Sequence, residues 1–127
     1  MQDRHFIALG AFNMCLAIAA GAFGAHALKP ILTPSMLTIW NTAANYHIVH
    51  ALGLILIGIL LPRFDSVLLN RSGMSMLIGM GIFSGSLYLL ATTGIAILGA
   101  ITPIGGVAFL LAWLLFALAV LKKPLAH

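Results

Sequence analysis

Three runs of this chain contain no Asp, Glu, Lys or Arg: residues 5–28, 30–62 and 72–121, which are 24, 33 and 50 residues long. A helix that crosses a bilayer needs about 20 mostly apolar residues, because the hydrocarbon core is about 30 Å thick and each residue advances the helix about 1.5 Å. The first two runs hold one such helix each. The third is too long for one and is interrupted by Gly94 and Gly99, so it holds two. The expected fold is all-α: a single-domain integral membrane four-helix bundle with spans near residues 6–28, 36–62, 73–93 and 103–121.

Composition agrees with this reading. Charged residues make up 6% of the chain and apolar residues 62%, whereas a soluble domain carries about a quarter charged residues. A water-soluble fold of this size could not cover its surface. The net charge of +4 does not indicate nucleic acid, because the cations are scattered at span ends. Cations there meet lipid headgroups and set orientation. Arg4, Arg63, Arg71, Lys122 and Lys123 fall on one side of the membrane and Lys29 alone on the other, so both termini are expected to be cytoplasmic.

Ala25-His26-Ala27 looks like a small-x-small signal-peptidase site. The apolar stretch before it is longer than a signal core and the leading charge is weak, so the first span is expected to stay uncleaved. Cys15 is the only cysteine and cannot form an intramolecular disulfide; inside a span it is expected to be a small buried apolar residue.

Proline sets several expected boundaries. Lys29-Pro30 ends the first span, Thr33 or Ser35 caps the second, and Pro62-Arg63 ends it. Residues 63–72 are expected to form a cytoplasmic loop. Thr102-Pro103 reads as the start of the fourth span, with Thr102 as cap and Pro103 in the first turn.

Lipid tails give helices no hydrophobic reason to associate, so close approach through small residues must supply it. Gly81 and Gly85 are four apart in the third span, and Gly21 and Gly24 share the first span with Asn13. These five residues are expected to face the bundle interior and pack helices together.

A polar side chain at membrane depth marks a functional site by default. Trp40, Asn41, Thr42, Asn45, Tyr46, His47 and His50 crowd the first half of the second span. His47 and His50 are three apart on one helix face, and with His26 they would converge if all three lay at similar depth. Neutral imidazole can ligate a metal or haem, handle a proton, or simply bond to its neighbours. Both carboxylates, Asp3 and Asp65, fall on the cytoplasmic side, so acid–base catalysis at the histidines has no carboxylate to use. Ser84-Gly85-Ser86 is not a nucleophile elbow. No catalytic residue, metal ligand or cofactor is assigned.

Four blocks occur in order along the chain: Gly21-Ala22-Phe23-Gly24-Ala25-His26-Ala27-Leu28; Trp40-Asn41-Thr42-Ala43 with Tyr46 and His50; Phe83-Ser84-Gly85-Ser86-Leu87-Tyr88; and Ile101-Thr102-Pro103-Ile104-Gly105-Gly106. Together they resemble the family known as domain of unknown function 423, whose animal members are called transmembrane protein 256. The resemblance covers nearly the whole chain. It implies a four-span protein of the bacterial inner membrane and no particular activity. His47 lies outside the matched positions, which favours a His26–His50 pair with Tyr46 and Tyr88.

The expected function is non-enzymatic: a binding or accessory protein holding a lipid-like ligand or a partner helix. The expected pocket lies in the outer leaflet and is lined by His26, Trp40, Tyr46, His50, Ser84 and Tyr88. A small oligomeric channel or transporter using intramembrane His and Ser is the alternative, and a His-ligated metal or haem protein the second. Expected partners are membrane lipids and a second copy or another membrane protein.

Overall fold

The structure, a computed structural model, describes residues 1–122. Lys123, counted above among the cations of one side, lies outside the described residues. The chain forms α1 (Asp3–His26), α2 (Pro34–Leu60), α3 (Ser66–Gly79), a five-residue π-helical segment (Met80–Ser84), α4 (Gly85–Thr93) and α5 (Ile97–Leu121). α3, the π segment and α4 run on as one span, Ser66–Thr93, so four helices are long and apolar enough to cross a membrane.

Thr33 caps α2 by accepting a hydrogen bond from the Met36 amide, with Pro34 in the first turn. Two boundaries differ from expectation. Residues 66–72 are helix rather than loop, because Asp65 caps α3 through the Leu68 amide at 2.8 Å and Leu69 is buried at once. The third span is therefore ~42 Å long at 1.5 Å per residue, and its polar first turns stand beyond the ~30 Å core. α5 begins at Ile97 rather than 103. Gly94 turns the chain with φ +71° immediately after α4, so three residues suffice to reverse direction. Pro103 then sits inside α5, and Thr102 is no cap: its hydroxyl lies 3.0 Å from the Leu98 carbonyl and 2.6 Å from Ser86 Oγ. Membrane helices tolerate an internal proline where neighbouring hydroxyls supply hydrogen bonds.

Consecutive helices run antiparallel. Along the α1–α2 seam, Gly10 meets Ala51 and Ile55, Gly24 meets the Trp40 indole, and Gly58 meets Asp3 and Ile7. Along the α3–α5 seam, Ser72 donates to the Ala112 carbonyl and Ser75 to the Ala108 carbonyl, each at 2.6 Å. α2 also lies against α3, the π segment and α4, joining the two hairpins. The buried core between them holds Phe6, Leu54, Ile57, Leu69, Met76 and Phe109. Phe12, Ile104, Val107 and Leu110 lie exposed on the outside, as a lipid-facing surface requires.

The interior seams use different glycines from those expected. A Cβ added at Gly24 would strike Trp40, as expected of a packing residue, but one at Gly21, Gly81 or Gly85 would meet nothing within 4 Å. The tightest approach to a neighbouring backbone is Gly105, where a side chain would fall on the backbone of Phe83. Cys15 is exposed rather than buried.

The two ends of the bundle differ in charge. The Met1 ammonium donates to Asn70 Oδ1 at 2.7 Å, and Lys122 pairs with Asp65 at 3.1 Å. These bonds gather the N-terminus, the 61–65 connection and the end of α5 at one end, with Arg63 and Arg71. The 27–33 and 94–96 connections share the other end, where Lys29 is the one cation among the described residues.

Candidate functional site

The six expected pocket residues do not form one pocket. His26 is the exposed last residue of α1, whereas His47 is 13 residues into α2, ~20 Å deeper along the helix. The equal-depth expectation fails for that reason, and the His26–His50 pair is not made. Ser84 is buried and donates to the Ala43 carbonyl at 2.9 Å, so its hydroxyl joins α2 to the third span. The remaining residues divide between two faces of α2.

The first centre lies between α1, α2 and α4. His47 is buried, with Nε2 3.0 Å from Asn13 Oδ1 and Nδ1 3.1 Å from the Tyr88 hydroxyl. Asn13 Nδ2 donates to the Leu9 carbonyl at 2.9 Å, which turns its oxygen toward the imidazole. A carboxamide oxygen only accepts, so His47 carries its hydrogen on Nε2 and accepts from Tyr88 at Nδ1. The donors run in one direction: Tyr88 to His47 to Asn13 to Leu9. Trp40 packs at a tilt against Tyr88, with ring centroids 4.7 Å apart and planes 56° apart, and donates to the Ala20 carbonyl at 2.8 Å. An open groove of about 410 Å³ passes this centre, floored by Gly81 and Gly85.

His47 was the residue that block matching set aside. Depth counting finds it: Asn13 lies 13 residues before the end of α1, and His47 lies 13 residues after the start of α2. In an antiparallel pair the two are level.

The second centre lies between α2 and α5. His50 is 3% exposed, with Nδ1 2.7 Å from the Tyr46 carbonyl one turn earlier. Its Nε2 accepts from Trp113 Nε1–H at 3.0 Å. A carbonyl only accepts and an indole only donates, so the hydrogen of His50 sits on Nδ1. The imidazole stacks on Phe109 with centroids 3.5 Å apart and planes within 10°. Tyr46 packs against Phe83 at 4.7 Å. These rings wall a lateral groove of about 590 Å³ that extends from Pro103 to Trp113 along α5. The Tyr46 hydroxyl makes no hydrogen bond among the described residues.

Both ring nitrogens of His47 and of His50 are engaged by protein groups. Among the described residues, no three His, Cys, Asp or Glu side chains come together as metal ligands. Asp65 is at the charged end, where the Leu68 amide first and Lys122 second hold its carboxyl below the usual range. Among the described residues, no carboxylate lies beside either histidine centre.

The chain is similar to bacterial membrane proteins throughout. It is 45% identical over 120 residues to UPF0382 membrane protein YwdK of Bacillus subtilis, covering 94% of this chain and 98% of that protein. It is 48% identical over 119 residues to a UPF0382 membrane protein of Staphylococcus epidermidis, covering 94% and 97%. A third relative, UPF0382 membrane protein SSP2132 of Staphylococcus saprophyticus, is 46% identical over 119 residues, covering 94% and 98%. No solved structure matches. Residues 20–106 match the family described as Protein of unknown function (DUF423), and with the full-length relatives this makes the chain a member of that family of multi-pass membrane proteins.

Proposed function

We propose that this protein is a non-catalytic binding protein of the bacterial inner membrane, with both termini cytoplasmic, and that the α2–α5 groove holds the apolar part of a lipid-like amphiphile. The observation that carries this reading is the hydrogen bond from Trp113 to His50. It fixes one aromatic wall in place and leaves the groove lined by rings with settled positions. Rigid, mostly apolar walls with a few polar groups are the usual form of a small-molecule site, and about 590 Å³ lies within the usual range of ~300–1,000 Å³.

The groove's length supports a single chain or ring system. Ten residues of α5 separate Pro103 from Trp113, which is ~15 Å, half the hydrocarbon thickness. The Tyr46 hydroxyl is the one polar hook we assign to the ligand. The pocket thus retains Tyr46 and His50 from the expected set, while Trp40, Tyr88 and Ser84 tie helices together and His26 stands apart. Pairing of the interior hydroxyls, Ser86 with Thr102 and Ser84 with a carbonyl, weighs against a hydrated permeation path through one protomer.

The test uses the protein's own fluorescence. The chain has two tryptophans, so W40F leaves Trp113 as sole reporter. Delipidated protein is reconstituted with phospholipids brominated along the chain, then titrated with a total lipid extract from bacterial membranes. The reading expects bromolipid to quench Trp113 and a minor component of the extract to relieve the quenching at a mole fraction of a few per cent or less. Relief that follows only bulk dilution of the bromolipid would overturn it.

A further inference from the structure

A second lateral groove runs between α3 and α5. It holds about 570 Å³ and is walled by Met74 and Ile78 of α3 and by Ile104, Val107, Leu111 and Leu115 of α5. Ser75 also borders it but spends its hydroxyl on the Ala108 carbonyl. Asn70, at its charged end, has both ends of its carboxamide bonded to Met1, at 2.7 and 2.8 Å. Arg71 follows on the same wall and is exposed. Among the described residues it is the one charged side chain that borders the groove.

Arg71 stands at a different level from the other cations of that end. Arg4 is the second residue of α1, Arg63 lies in the 61–65 connection, and Lys122 follows α5. Arg71 is the sixth residue of α3 and lies 22 residues before the end of its span at Thr93. That is ~33 Å at 1.5 Å per residue, so its backbone stands at the edge of the ~30 Å hydrocarbon core, next to the lipid phosphates. The chain offers it little counter-charge, because it has two side-chain carboxylates in all. Asp65 pairs with Lys122, and Asp3 accepts from the Arg4 amide at the start of α1.

We infer that the α3–α5 groove seats one anionic phospholipid, with its phosphate on the Arg71 guanidinium and one acyl chain along α5. Three features select this occupant. A guanidinium presents paired N–H donors that match two oxygens of a phosphate. From Leu115 to Ile104 the groove follows 11 residues of α5, ~16 Å, which is about half the ~30 Å core and so the depth filled by a chain from one leaflet. The charge also selects against a second copy: in a symmetric parallel pair across this face, Arg71 would meet Arg71 at the same depth. A net negative headgroup is favoured over a zwitterionic one, whose ammonium the surrounding cations repel. The inference does not rest on the ligand reading of the α2–α5 groove, because Pro103, Gly106, Phe109 and Trp113 line that groove from another side of α5.

Native mass spectrometry tests it, with the full chain in nanodiscs of phosphatidylglycerol and phosphatidylethanolamine of matched chains in equal amounts. Wild type should keep one phosphatidylglycerol per protomer at collision energies that strip phosphatidylethanolamine. R71Q should lower that retention about five-fold, while R63Q, which removes the same charge from the connection, should leave it unchanged. V107W fills the groove beyond the arginine and should lower retention as well, since the chain then has no seat. Circular dichroism reports whether each variant keeps its fold; if one does not, the other carries the test. Equal retention of the two lipids by wild type would overturn the inference, as would equal losses in R63Q and R71Q or undiminished retention in folded V107W. So would a second protein that copurifies in stoichiometric amount from native membranes and is lost in R71Q, because that would give the face to a protein partner.

Discussion

His50 accepts a hydrogen bond from the Trp113 indole at 3.0 Å, joining α2 to α5 across the floor of the aromatic groove. The same imidazole spends its other nitrogen on the Tyr46 carbonyl of its own helix. One side chain therefore fixes its own tautomer and the position of a ring on another span. H50F keeps the stacking on Phe109 and removes the acceptor. The expected cost is about 1 kcal/mol, between the ~0.6 kcal/mol average for interhelical bonds in membranes and the ~1–3 kcal/mol of an unsatisfied buried donor. In a W40F background the Trp113 emission should also shift. Unchanged unfolding in detergent together with unchanged emission would remove this role.

The Asn13–His47–Tyr88 chain predicts coupling between two residues on different helices. N13L frees the His47 tautomer, so the Tyr88 bond is no longer enforced; Y88F does the same from the other side. Groups in one hydrogen-bonded network are non-additive. The double variant should lose less stability than the two single variants combined, by about 0.5–1.7 kcal/mol, the upper bound being the largest coupling seen for membrane pairs. A double-mutant cycle measures this, and strict additivity would mean the bonds are independent.

Glycine substitutions should separate the seams that the fold uses from those that sequence spacing suggested. G105A places a methyl on the Phe83 backbone and should cost roughly 1–3 kcal/mol by overpacking. G85A meets nothing within 4 Å of the new atom. It should be neutral or stabilising by up to ~1 kcal/mol, since alanine is the better helix former. Thermal unfolding of both variants in one detergent decides this, and equal destabilisation would contradict the packing described.

The number of spans and their antiparallel order were legible because charge-free length is a one-dimensional property set by bilayer thickness. Boundaries were less so. Asp65 and Gly94 each start or end a helix by a local hydrogen bond, and Thr102-Pro103 mimics a start while lying inside α5. The site was legible in part. Polar residue type picked out Tyr46, His50 and Tyr88, but which face of α2 each occupies depends on where α1 and α5 pack. Small-residue spacing found Gly24 and overrated Gly21, Gly81 and Gly85, because four-residue spacing shows that a helix can be approached closely and not from which side. Trp113 had no signal of its own, since in an apolar helix a tryptophan reads as lipid-facing until its partner is placed.

The distribution of cations predicts the orientation. Arg4, Arg63, Arg71 and Lys122 lie at one end of the described bundle and Lys29 at the other, so the positive-inside rule puts the 27–33 connection outside. In bacterial cells, K29C should react with a membrane-impermeant maleimide before lysis, and R63C only afterwards. Cys15 lies within α1, where a water-soluble reagent does not reach it. The reverse pattern would invert the assignment.

Asp65 gives the charged end a pH dependence whose sign can be worked out. Its folded-state carboxyl is held below the unfolded value of about 3.9 by the Leu68 amide and then by Lys122. A depressed carboxyl stabilises the fold fully above the unfolded value and loses that contribution as pH falls through the folded one. D65N isolates the charge, because asparagine caps a helix about as well as aspartate and cannot pair with Lys122. Wild type should therefore be more stable than D65N at neutral pH and low salt, with the gap closing in high salt and again as the pH drops below about 4. D65A lacks the cap as well, so it should be less stable than D65N across the whole range. A gap between wild type and D65N that persists in acid would show that the carboxylate charge is not what distinguishes them.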